Sequence, residues 1–192
     1  MITKSILSAI VCLFISLPLS ALGADKLTGI HSSRVMSQSL PWMAEEAGLF
    51  KKYNLDYQQV FIASSSLVTA ALLSGDAEMT LTGGIGNVIA YVRGTTDVVF
   101  VAGVKNVMTQ SLVAGKAFKR PEDLKGKKIA VSRIGGNTHY FTIQAMRKFG
   151  MEPNRDFTFI QSGGDPEATA ALITGADPGP AACSECPRRD CG

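Results

Sequence analysis

A chain of 192 residues, 46% of them apolar, is long enough to bury the core of one domain or of two small ones. Its formal net charge of +3 excludes the strongly basic footprint expected of a nucleic-acid-binding protein. Cysteine is absent between Asp25 and Asp177, so the fold itself calls for no disulfide.

Residues 1–24 read as a secretory signal segment. Lys4 precedes an apolar run from Ile6 to Leu17, broken only by Ser8 and Ser16, and Pro18 and the small residues around Ala21-Leu22-Gly23-Ala24 suit cleavage. The run is short for a membrane span, which needs about 20 apolar residues. Cys12 lies inside it without the small-residue context of a lipoprotein site. Cleavage at Gly23 would remove one lysine and no acid, leaving the remaining chain nearly neutral.

The next segment, 25–106, reads as a first α/β lobe. Leu27–Ser32 suggests a strand, and Pro41 opens a helix that places Met43, Ala47 and Phe50 on one face before Gly48 and Asn54 mark its exit. Leu55–Ile62 is a second strand, rich in aromatic and β-branched residues. A helix follows with Val68, Ala71, Leu72 and Gly75 at helical spacing. Met79–Thr82 is a third strand, and the next helix carries Ile85, Val88, Ile89 and Val92 on one face. Val98–Val104 is continuously apolar, the pattern of a strand covered on both faces.

Residues 107–176 read as a second lobe of like construction. Strands are expected at 110–114, 128–133 and 157–161, with a helical turn at Pro121–Leu124. A helix opens at Gly135-Gly136-Asn137-Thr138, shares Thr142, Ala145, Met146 and Phe149 on one face, and closes at Gly150. Asp165-Pro166-Glu167 starts the last helix, with an N-cap and a proline in the first turn.

The chain repeats one phrase. Thr69-Ala70-Ala71-Leu72-Leu73-Ser74-Gly75 returns 100 residues later as Thr169-Ala170-Ala171-Leu172-Ile173-Thr174-Gly175, each copy after a strand and a small-residue turn. A period this long suits two similar α/β lobes rather than a solenoid. Strands alternating with helices imply parallel, right-handed connections. After the second copy, 177–192 reads as an irregular Pro/Cys-rich tail whose Asp177-Pro178-Gly179-Pro180 excludes a central strand, leaving the second lobe incomplete.

Candidate sites follow from the helix starts. Free N–H groups there can receive an anionic or polar group, so Ser64-Ser65-Ser66 and Gly136-Asn137-Thr138 either bind a ligand or cap their own helices. Gly83-Gly84-Ile85-Gly86 is not a dinucleotide loop, because Ile89 stands where the third glycine belongs. Cys183, Cys186 and Cys191 have no nearby histidine and fall short of a four-ligand structural zinc site. His31 and His139 lie in different lobes, and no Gly-x-Ser-x-Gly occurs, so hydrolase chemistry has little support.

The phrases PWMAEEAGLFKKYNL (41–55), LLSGDAE (72–78) and PEDLKGKKIAV (121–131), in order with the two repeat copies, resemble the periplasmic substrate-binding proteins of ABC importers, in the nitrate/sulfonate/taurine and thiamine-pyrimidine-precursor group. The resemblance covers residues 27–176. It implies a type II periplasmic-binding fold, with two Rossmann-like lobes of parallel-rich sheets around a ligand cleft. It also implies a non-enzymatic, extracytoplasmic monomer that delivers a small solute to an ABC permease, with no cofactor, metal or nucleic acid.

Carried over residue by residue, the family's ligand contacts match Ser37, Gln38 and Trp42, Ser64, Ser65 and Ser66, and Thr82, Gly83 and Gly84 in the first lobe. In the second they match Ser132, Asn137 and Thr138. Trp42 either overlies the cleft or packs the first helix. The family chain normally continues for more than a hundred residues beyond this point, so the resemblance implies a C-terminal truncation. An enzyme of thiamine-pyrimidine synthesis on the same fold, or a solute sensor, stands as the alternative.

Overall fold

β1 (Asp25–His31) runs between two parallel neighbours, β2 (Leu55–Phe61) and β3 (Met79–Leu81), giving the sheet order β2-β1-β3 in a computed structural model that describes residues 23–95, 97–174 and the backbone of 181–183. The register Asp25↔Leu55 to His31↔Phe61 holds all seven positions of β1, whereas β3 matches only Gly29–His31. The link from β1 to β2 holds α1 (Leu40–Glu46) and α2 (Leu49–Lys52). They part at Gly48, whose φ of 67° is open to glycine and strained for other residues. α3 (Ser65–Ser74) connects β2 to β3, ending at Gly75 with φ 81°, and α4 (Ile85–Val92) follows β3. Ile30, Val68 and Ala77 form the core of this lobe.

The second lobe repeats the plan. β5 (Lys128–Val131) pairs in parallel with β6 (Thr158–Gln161) through α5 (Asn137–Lys148), and α6 (Asp165–Thr174) follows β6. The sheet order is β4-β7-β5-β6, with β4 at Ser111–Val113 and β7 at Ala181–Cys183. Its core joins Leu124, Ile129, Met146, Met151 and Phe157. Met146 and Thr142 of the predicted α5 face are fully buried, while Phe149 lies past the helix end and is exposed.

Three expectations need correction. The segment after the second repeat copy holds a central strand after all: β7 pairs antiparallel with β4 and in parallel with β5 at Ala130↔Ala181. The prolines at 178 and 180 precede this strand instead of interrupting it, so its ladder keeps its donors. Residues 98–104, expected as a buried strand, form none and are largely exposed, with Val101 at 84%. An extended apolar run needs a neighbour to satisfy its backbone, and no described strand pairs with it. The apolar face of α4 is open as well, with Val88, Ile89 and Val92 exposed, while Asn87 is the residue α4 buries.

The first helical face is likewise more open than its spacing suggests. Met43 is exposed, and only Phe50 finds a substantial partner, stacking on Tyr57 with centroids 4.0 Å apart. The signal-like segment 1–22, Gly175–Pro180 and the residues after Cys183, among them Cys186 and Cys191, lie outside the described residues.

Candidate functional site

A cavity of about 1160 Å³ opens between the lobes, lined by strand-end loops and helix starts of both. This location follows from the topology, since parallel strands deliver their C-terminal loops to one edge. Ten of the twelve predicted site residues line it: Ser37, Gln38, Ser64, Ser65, Thr82, Gly83 and Gly84 from the first lobe, and Ser132, Asn137 and Thr138 from the second. Trp42 and Ser66 are not among the lining residues. Trp42 sets its ring edge-on to buried His31 at 4.5 Å, and the Ser66 hydroxyl lies 2.9 Å from that of Ser64.

Neither helix start is capped by its own side chains. Ser64 occupies the N-cap of α3 in an extended conformation without a side-chain cap bond, and Gly136 holds the same place on α5. The serine and threonine hydroxyls are used elsewhere. Thr138 Oγ1 accepts the Ser132 N–H at 3.1 Å and lies 2.8 Å from the Ser132 hydroxyl. The positive ends of two helices therefore face the cavity without a charge of their own.

Gln38 braces the loop above the first strand. Its Oε1 accepts the N–H groups of Ser32 and Ser33, both at 2.9 Å, and its Nε2 donates to Ser32 Oγ at 3.1 Å. Beneath that loop, His31 is buried against Trp42 and Phe61, with Nδ1 3.1 Å from the Ser33 carbonyl. Burial holds its imidazole below the ordinary value and the nearby Arg34 charge adds to this, while the Ser33 contact opposes both. A neutral ring donating from Nδ1 fits this setting.

Two residues that line the cavity also carry buried polar atoms without a partner. Thr82 Oγ1 and Gln110 Oε1 are buried and unbonded, and both residues line the space. Sequence reasoning missed Gln110, along with Ser33, Arg34, Asp165 and Glu167, which also line it. Arg34 sits 4.4 Å above the Phe61 ring. The repeat held the signal for Asp165, which stands 100 residues from Ser65 at the start of the equivalent helix. Gln110 carries no such signal, lying between Thr109 and Ser111 at the start of a short strand. Among the described residues, no group of three or more His, Cys, Asp or Glu is placed to hold a metal ion.

Comparison with known proteins places the fold. The family described as NMT1/THI5 like matches residues 40–186. The taurine-binding periplasmic protein of Escherichia coli (strain K12) is 33% identical over 92 residues, covering 48% of this chain and 28% of that protein. Among solved structures, the periplasmic nitrate-binding protein NrtA from Synechocystis PCC 6803 superposes with a TM-score of 0.63 at 20% identity, over 84% of this chain and 47% of that one. The periplasmic aliphatic sulphonate binding protein SsuA from Escherichia coli gives 0.59 at 22%, over 82% and 53%. PhnD1 from Prochlorococcus marinus (MIT 9301), solved with methylphosphonate, gives 0.64 at 13%, over 84% and 64%. The chain thus spans between 28% and 64% of these relatives. With the match running from the first helix through the last described strand, the chain belongs to the NMT1/THI5-like family and has the periplasmic-binding-protein fold.

Proposed function

We propose that the protein is an extracytoplasmic, non-enzymatic solute-binding protein that holds a small organic or anionic solute between its lobes and delivers it to an ABC permease. The carrying observation is the convergence of hydroxyls and amides from both lobes on one cavity, beside the charged Arg34, Asp165 and Glu167. Hydroxyls, amides and the starts of α3 and α5 suit a sulfonate, nitrate or pyrimidine-type solute, held by hydrogen bonds and helix-terminal N–H groups. The binding proteins for taurine, aliphatic sulphonates and nitrate among the relatives point the same way. Among the described residues, no helix is long and apolar enough to cross a membrane.

Calorimetric titration with taurine, alkanesulfonates, nitrate and pyrimidines tests the reading. Saturable binding of one class, weakened roughly two- to tenfold by Thr82→Val, is the expected result. No binding by any class, or turnover of a bound compound, would overturn it.

A further inference from the structure

The run Val98-Val99-Phe100-Val101-Ala102-Gly103-Val104 carries neither charge nor proline, and solute binding gives no reason for its exposure. Val99, Phe100 and Val101 are 76%, 64% and 84% exposed. From 98 to 103 the chain has no helix, turn or bend, and no backbone hydrogen bond joins it to another described residue. Water can satisfy such a backbone but leaves the apolar side chains uncovered. An exposed apolar run of this kind is a template for strand addition.

The flanking residues say which strand fits. Asp97 and Lys105, both exposed, stand at equal distance from Val101 on either side. A second copy laid antiparallel about a two-fold axis at Val101 sets Asp97 opposite Lys105 at both ends. Lys105 Nζ donates to Thr109 Oγ1 at 2.7 Å within its own chain, and its ammonium carries three donors. The same register places Phe100 opposite Ala102 and Val99 opposite Gly103, large against small. Gly103 has no positive φ, and a β-carbon on it would meet only the Lys105 carbonyl at 4.0 Å. Its own chain therefore does not call for a glycine there, whereas a facing valine does. Parallel, in-register copies would oppose Asp97 to Asp97 and Lys105 to Lys105, which is destabilising. Sliding the antiparallel register by one or two residues sets both charges opposite uncharged residues.

We propose that residues 98–104 are an interface for a second copy of this chain, paired as antiparallel strands about a two-fold axis at Val101. Asp97 and Lys105 fix the register, and Val99, Phe100 and Val101 supply the apolar cover. This departs from the monomer that the family resemblance implies. It goes beyond the binding reading and needs no solute, so the two can fail separately.

Sedimentation equilibrium of the full chain over a range of concentrations tests it. The wild type shows a monomer–dimer equilibrium. Val101→Lys, which sets two like charges against each other on the axis, leaves only monomer. Asp97→Lys raises the dimer dissociation constant by roughly two- to thirtyfold, the span of two cross-strand charge pairs. Adding Lys105→Asp to that variant restores the wild-type constant, because the pairs are rebuilt with their signs exchanged. All three positions are exposed, so the urea midpoint of each variant stays at the wild-type value and reports that it is folded. A wild type that is monomeric throughout overturns the interface, as does association that Val101→Lys leaves intact or that grows past the dimer. Charge reversal that the double variant does not rescue overturns the register.

Discussion

The two copies of the Thr-Ala-Ala-Leu helix have the same length and the same place in their lobes, yet they are used differently. In α3, Thr69 is buried and its Oγ1 donates to Asn87 Oδ1 at 2.8 Å, tying α3 to α4. In α6, Thr169 is exposed, and Ala168 is the one buried residue, where α3 buries Ser65, Val68 and Thr69. The strands that follow also differ. β3 is an edge strand paired over three residues, whereas β7 is inserted between two strands and meets β5 at a single position. One local sequence, placed beside different neighbours, makes a helix–helix bond in one lobe and a solvated face in the other.

The largest effect that would sharpen this contrast is in the cores. Ile129 is fully buried within the five-residue core of the second lobe. Ile129→Ala should destabilise the protein by about 2–5 kcal/mol in urea titration. Exchange should then accelerate at β5 and β6 before β1 and β2. Simultaneous acceleration in both sheets would mean that the lobes unfold as one unit.

A middle-sized effect separates the repeat copies directly. Thr69→Val leaves Asn87 Oδ1 buried without its donor and should cost about 1–3 kcal/mol. Thr169→Val, the same change at the equivalent exposed position, should stay within about 0.5 kcal/mol. Equal losses in denaturant titrations would break the comparison.

The smallest difference depends on pH. Asp156 accepts from Arg155 at 2.9 and 2.6 Å and from the Glu152 N–H at 2.9 Å, with Lys125 Nζ at 3.6 Å. The Arg155 hydrogen bonds, then the Glu152 N–H, hold its carboxyl at about 2, below the ordinary 3.8. A depressed carboxylate stabilises the fold above its unfolded value and loses that contribution as pH falls through the folded one. Asp156→Asn should therefore lower Tm at neutral pH, with the gap closing between about pH 4 and pH 2. A gap unchanged across that range would show that the ion pair contributes nothing. Arg155, Asp156, Glu152 and Lys125 all lie in the second lobe, so the effect belongs there.

Much of the fold was legible in the residues themselves. Seven-residue strands such as β1 and β2, and helices bounded by Pro41, Gly75 and Gly150, follow from apolar period and backbone-permissive residues that act within a few positions. The repeat likewise announced two lobes built alike, and the starts of α3 and α5 did converge on one cavity. Local signals failed where an element depends on a distant neighbour. Residues 98–104 have the composition of a buried strand but no partner edge, and β7 has a poor local signal but two edges waiting for it. Pairing is a long-range event, so composition alone cannot decide it. The cavity divides the same way. Helix-start serines and glycines could be named from the chain, whereas the roles of Gln38 as a loop brace, Trp42 as a partner of His31, and Ser65 as a cap for another lobe's helix were decided only when the tertiary structure set those groups within hydrogen-bonding or ring-contact distance.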